Sequence, residues 1–150
     1  MPDQLYAESL ESLRSIDLSK TIVDVGAGSG ILGIPALLEG MCEKLVLIEP
    51  QPKKAAFLEY FRSQLHQYDF PLASKVKVLP LFLENVSRET LESFAQGTLD
   101  NVDFVVRAFS GAKTLKEAFD QSGLPTNRVY DFFVDEKSTP QKFMLRKVSF

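Results

Sequence analysis

Apolar and polar positions fall into two alternating periods along this chain. Thr21-Ile22-Val23-Asp24-Val25 is a short β-branched run stopped by glycines, which predicts a buried strand entering a tight turn. Lys44 to Ile48, Lys75 to Leu79, Asp103 to Arg107, Arg128 to Val134 and Phe143 to Ser149 predict the remaining strands. Between them the spacing turns helical. Leu5, Leu10, Leu13 and Ile16 predict a helix over Asp3 to Ser15. Ile31 to Glu39 is closed by Gly40 and carries Pro35 near its first turn. Pro52 opens a helix to Gln67, whose inner face is expected to be Ala56, Phe57, Tyr60, Phe61 and Leu65. Two more helices are expected over Ser87 to Ala95 and Lys113 to Gln121, with loops over Pro80 to Asn85 and Asp135 to Gln141.

Strand and helix therefore alternate, the signature of an α/β fold with a mostly parallel, doubly wound sheet and right-handed crossovers. Only a loop separates the last two strands, so they must form an antiparallel pair. At 150 residues, with 45% hydrophobic side chains, the chain fits one domain with a real core.

Composition narrows the chemistry. One cysteine, Cys42, and one histidine, His66, argue against a disulfide, a Cys-based zinc cluster or a multi-histidine metal site. The first sixteen residues lack the apolar core of a signal peptide, and no apolar run reaches the roughly 20 residues of a membrane span. A soluble, cytoplasmic protein is expected. A net charge of −3 disfavours general nucleic-acid binding and leaves a local basic patch as the route to it.

The glycine turn is the strongest chemical signal. Gly26, Ala27, Gly28, Ser29 and Gly30 follow a buried strand and precede a helix, where backbone amides meet a ligand at the strand's carboxyl end. Glycine is required where the backbone bends sharply and no Cβ can stand before the ligand. Two cofactor classes fit. Gly28-Ser29-Gly30-Ile31-Leu32-Gly33 satisfies the dinucleotide pattern, with an acid some twenty residues later. The widened Gly26-to-Gly30 spacing instead suits a nucleoside without a pyrophosphate, such as S-adenosylmethionine.

Glu49 ends the second strand, where a carboxylate can accept both ribose hydroxyls or serve the helix dipole at Pro52. Phe82 and Leu83, in the loop after the third strand, are candidates to wall an adenine. Arg107 stands at the tip of the fourth strand, where an unpaired charge is expensive. It can hold a carboxylate or an acceptor, or pair with Asp24 or Glu8.

Together these residues resemble the bacterial small-subunit ribosomal RNA guanine-N7 methyltransferase family, also called glucose-inhibited division protein B. The resemblance is carried by Asp24 to Pro35 with its trailing Gly33-Ile34-Pro35, by Lys53-Lys54-Ala55-Ala56-Phe57-Leu58, by Arg107-Ala108-Phe109 and by Glu8-Ser9-Leu10. It runs from about Tyr6 to Phe119. It implies a Rossmann-like fold that binds S-adenosylmethionine through Asp24, Gly26, Ala27, Gly28, Gly30, Glu49, Leu83, Glu84 and Arg107. Asp24 would lie near the cofactor's methionine end, Glu84 near its adenine, and Arg107 beside the reacting methyl as the catalytic residue. The implied partner is ribosomal RNA of the small subunit. A small-molecule or protein acceptor, or a reduced homologue that binds without catalysis, are the alternatives.

The chain departs from the family's pattern. Phe82-Leu83-Glu84 keeps the acid of an Arg-x-Glu motif and lacks its arginine, and no Lys-Gly follows the fifth strand. The family's sixth strand and preceding helix are missing. Because its seventh strand lies antiparallel beside the fifth, their excision leaves a workable sheet closed by a hairpin.

Overall fold

A computed structural model describes residues 3–107, 114–135, 137, 139 and 142–150. Six strands form one sheet: β1 (Thr21–Val25), β2 (Lys44–Ile48), β3 (Val76–Leu79), β4 (Val102–Arg107), β5 (Val129–Asp135) and β6 (Lys142–Lys147). Their order is β3-β2-β1-β4-β5-β6, all neighbours parallel except the antiparallel β5–β6 pair. This is the doubly wound arrangement with a terminal hairpin expected from the alternation of periods.

The β1 register sets Asp24 beside Leu47 and Val105, and Val25 beside Ile48 and Val106. Alternate strand residues feed two cores, because side chains two apart share a sheet face. Ile22, Leu45, Leu47 and Val105 pack on one face with Leu13 of α1 (Asp3–Arg14) and with α2 (Gly33–Leu38). Val23, Val25, Val46, Ile48, Phe104 and Val106 pack on the other with Leu91 of α5 (Arg88–Ala95) and Phe119 of α6 (Leu115–Ser122). Both of the latter helices are capped by side chains, Ser87 accepting from the Thr90 amide and Thr114 from the Glu117 amide.

Two expectations need correction. The helix expected over Ile31 to Glu39 begins only at Gly33, because residues 28–32 are spent in turns after the glycines. The helix α3 (Pro52–Tyr68) buries Ala55 and Leu58, whereas Ala56, Phe57 and Tyr60, expected inward, are exposed. Phe61 and Leu65 are partly buried. The sheet-facing stripe runs through Ala55, Leu58, Phe61 and Leu65, at steps of three, three and four. Leu58 and Phe61 join Leu45 and Leu47 in one core, and Phe57 and Tyr60 fall on the opposite side of the helix. A short helix missed by the periodicity, α4 (Phe70–Ala73), follows it, capped by Asp69 accepting from the Leu72 amide.

Among the described residues, no helix is long and apolar enough to cross a membrane.

Candidate functional site

The turn after β1 is held by three glycines in the left-handed region: Gly26 at φ 73°, Gly28 at 57° and Gly30 at 79°. Side chains rarely tolerate these values, so the sequence dictates glycine by backbone geometry alone. The amides of Gly26 and Ala27 both donate to the Ile48 carbonyl at 2.9 and 3.0 Å, folding the turn over the end of β2. Gly30 donates to the Ala27 carbonyl at 2.8 Å, and Ile34 to the Gly30 carbonyl at 3.1 Å, which starts α2.

Glu49 ties this turn to the next helix. One carboxylate oxygen accepts the Gly28 amide at 2.8 Å and the other accepts the Gln51 amide at 2.9 Å, at the N-cap of α3. The side chain is 4% exposed. Each oxygen keeps a second lone pair, so the helix-dipole role and a hydroxyl-accepting role coexist.

Asp24 lies beneath the turn rather than open to a ligand. Its carboxylate is 1% exposed and accepts the Gly33 amide at 3.1 Å. Burial pushes its pKa up to about 7, with Glu49 adding to the rise; the Gly33 amide and the positive charge of Arg107 hold it from rising further. No ion pair joins Asp24 to Arg107 among the described residues, so the arginine acts on it at longer range.

Arg107, half-buried at the tip of β4, closes the site on the other side. Its carbonyl lies 3.3 Å from where a Cβ on Gly26 would stand, and its Nη1 lies 4.0 Å from a Cβ position on Gly28. A side chain at Gly28 would therefore point into the gap between turn and guanidinium. Leu83 is buried in the core on the α5–α6 face, while Phe82 is exposed; of the two candidates for an adenine wall, only Phe82 offers an open side chain. Glu84 is partly buried in a 3-10 turn over Leu83–Asn85. The structure thus gathers Gly26, Ala27, Gly28, Gly30, Glu49 and Arg107 at the carboxyl ends of β1, β2 and β4, with Asp24 behind them. Ala108 to Lys113, including the rest of the Arg-Ala-Phe segment, lie outside the described residues.

Sequence reasoning missed two contributors. Gly33 packs so tightly that a Cβ there would stand 2.5 Å from Leu45 Cδ1 and 3.1 Å from Asp24 Oδ2. The Gln51 amide has no sequence signal at all, because any residue but proline supplies it.

The residues present fit a nucleoside-based cofactor. The turn carries no side chain at Gly28, Glu49 supplies hydroxyl acceptors, and Arg107, with Nη1 4.0 Å from a Cβ position on Gly28, supplies a carboxylate partner.

Known proteins share stretches of this sequence and its fold. A ribosomal RNA small subunit methyltransferase G of Nitrosospira multiformis is 36% identical over 106 residues, covering 69% of this chain and 40% of that protein. The corresponding protein of Helicobacter acinonychis is 37% identical over 68 residues, covering 45% and 38%. The chain thus spans about half or less of the length of the relatives it matches. Among solved structures, a glycopeptide N-methyltransferase superposes with a TM-score of 0.59 at 13% identity, covering 95% of this chain and 69% of that one. A precorrin-6y C5,15-methyltransferase of Geobacter metallireducens gives 0.51 at 18%, covering 93% and 67%. These likenesses establish the Rossmann-like fold of S-adenosylmethionine-dependent methyltransferases. Residues 1–130 match the family described as rRNA small subunit methyltransferase G, and the chain belongs to that family.

Proposed function

We propose that this chain is an S-adenosylmethionine-dependent methyltransferase domain of the cytoplasm acting on small-subunit ribosomal RNA, with guanine N7 as the acceptor. The observation that carries the reading is the turn of Gly26, Gly28 and Gly30, bridged to Glu49, with the Arg107 guanidinium 4.0 Å from a Cβ position on Gly28.

Gly26, Ala27, Gly28 and Gly30 would receive the cofactor along their backbone. Glu49 would accept its ribose hydroxyls, and Glu84, with the backbone at Leu83, would border its adenine. Asp24 is a positioning residue: it holds the Gly33 amide and so fixes the turn from beneath. When bound, S-adenosylmethionine supplies an electrophilic methyl group on a sulfonium. Arg107 would then orient either a carboxylate or the acceptor base at the strand tips. Guanine N7 has a free lone pair, so the chain need not remove a proton. Its contribution reduces to in-line positioning and exclusion of water.

Isothermal calorimetry with S-adenosylmethionine and S-adenosylhomocysteine tests the pocket. Gly28→Arg should abolish binding, because the new side chain fills the gap before Arg107. Glu49→Ala should weaken binding about tenfold or more, with thermal melts confirming a folded variant. Unchanged affinity in both would end the cofactor reading. Methyl incorporation into under-modified small ribosomal subunits tests the acceptor. Cofactor binding without incorporation would favour a chain that binds but does not catalyse, the reading to which the missing arginine before Glu84 points.

A further inference from the structure

Large exposed apolar side chains crowd the side of the molecule that carries α3 and the edge strand β3. Of nine such residues among those described, six lie between α3 and the turn after β3: Phe57, Tyr60, Tyr68, Phe70, Leu81 and Phe82. On α3, Lys53, Phe57, Tyr60 and Gln64 follow steps of four, three and four, which aligns them on one stripe. That stripe faces away from buried Ala55 and Leu58. Phe57 is 53% exposed and Tyr60 is 62% exposed.

The same segment reverses the charge of the molecule. Residues 52–82 hold five lysines and arginines against two acids, in a chain whose net charge is −3. Both acids are engaged. Glu59 pairs with Arg62 at 3.2 Å, and Asp69 caps α4 at 3.0 Å. Lys53, Lys54, Lys75 and Lys77 make no ion pair among the described residues.

We propose that the outward stripe of α3 binds an unpaired stretch of RNA. Its bases stack on Phe57 and Tyr60, and its phosphates meet Lys53 and Lys54 of the same helix. Lys75 and Lys77 alternate with Val76 and Val78 and so belong to the opposite sheet face. Ring faces open to solvent accept splayed bases, which a duplex keeps in its own stack. A second copy of the chain fits less well. A two-fold contact along the stripe would bring the unpaired lysines Lys53 and Lys54 against their own copies. The choice of RNA over other single strands rests on the methyltransferase reading above. The position suits it: α3 begins three residues beyond Glu49, and β3 lies three strand spacings, about 14 Å, from β4 and Arg107. A strand held along α3 can cross the strand tips toward the proposed methyl site.

Fluorescence anisotropy with a labelled, unstructured RNA oligonucleotide tests the surface, with its duplex form and a DNA of the same sequence as further arms. Phe57→Ala and Tyr60→Ala should each weaken single-strand binding between about fivefold and a hundredfold. Tyr60→Phe should keep wild-type affinity, and melting temperatures should not change. DNA binding equal to RNA binding would remove the assignment to RNA. Unchanged RNA affinity in the double alanine variant would overturn the surface. So would sedimentation showing a dimer that Tyr60→Ala dissociates while RNA affinity holds. The two readings separate cleanly. If the variants lose RNA while wild type fails to bind S-adenosylmethionine, the methyltransferase reading falls and the stacking surface stands. If cofactor binding and methyl transfer persist in the double variant at wild-type levels, the surface falls alone.

Discussion

Asp24 and Gly33 show how the turn depends on one carboxylate below it. Asp24 is a buried acid beneath the loop, and its pKa is raised from 3.8 to about 7, first by burial. The folded state therefore holds a proton that the unfolded chain releases near pH 4. Stability is highest below that pH, falls as pH rises from about 4 to about 7, and is level above. Asp24→Asn keeps an acceptor for the Gly33 amide and removes the titration. Its stability should stay flat over that window, while wild type loses on the order of a few kcal/mol. Denaturant midpoints measured at pH 4.5, 6 and 7.5 would show parallel behaviour of the two proteins if the idea is wrong. Gly33 supports the same contact through its lack of a side chain. Gly33→Ala would drive a methyl group into fully buried Leu45 and against Asp24. A cost of about 1–3 kcal/mol is expected from overpacking, read from the shift in urea midpoint.

At the scale of elements, much of the arrangement is legible in the sequence. Period-two runs mark all six strands to within a residue or two, and Gly26, Gly28 and Gly30 announce a turn that only positive φ explains. The rotation of α3 is not legible, because its aromatic side chains imitate a buried face. Tertiary packing decides which stripe is covered: Leu58 and Phe61, not Phe57 and Tyr60, meet Leu45 and Leu47. The clamp at the opposite end of the sheet is equally hidden. Asp103, fully buried at the start of β4, accepts Arg128 Nε at 2.6 Å and the Ser19 amide at 2.5 Å, while Arg128 Nη2 donates to the Asp17 carbonyl at 2.8 Å. Nothing in the local pattern pairs residues so distant in sequence. This clamp joins the α1–β1 connection to β4 and β5, so it aligns the strands whose far ends carry the glycine turn and Arg107. Asp103→Ala leaves the Ser19 amide and the Arg128 guanidinium without their acceptor. It should cost about 3 kcal/mol, measured by chemical denaturation, with a smaller loss for Asp103→Asn. An effect below about 0.5 kcal/mol would mean the pair is no more than a surface contact.

Across the whole molecule, charge is distributed against its own average. The net −3 conceals a positive segment over residues 52–82, so the remainder of the chain is more acidic still. An acidic body with a basic edge repels nucleic acid except along that edge, which orients the encounter before any contact is made. This account makes a quantitative demand on ionic strength. If Lys53 and Lys54 each meet one phosphate of a single strand, the logarithm of the binding constant should fall against the logarithm of salt with a slope of about −1.4. Replacing Lys53 with glutamine should make the slope shallower by about 0.7, and replacing both should bring it near zero. Phe57→Ala should lower affinity at every salt concentration and leave the slope alone, because stacking releases no counterions. A salt titration of oligonucleotide binding from 25 to 300 mM, taken at about these concentrations, separates the two contributions in one experiment. A slope indifferent to the two lysines would place the phosphates elsewhere and leave the basic end of α3 without a role in binding.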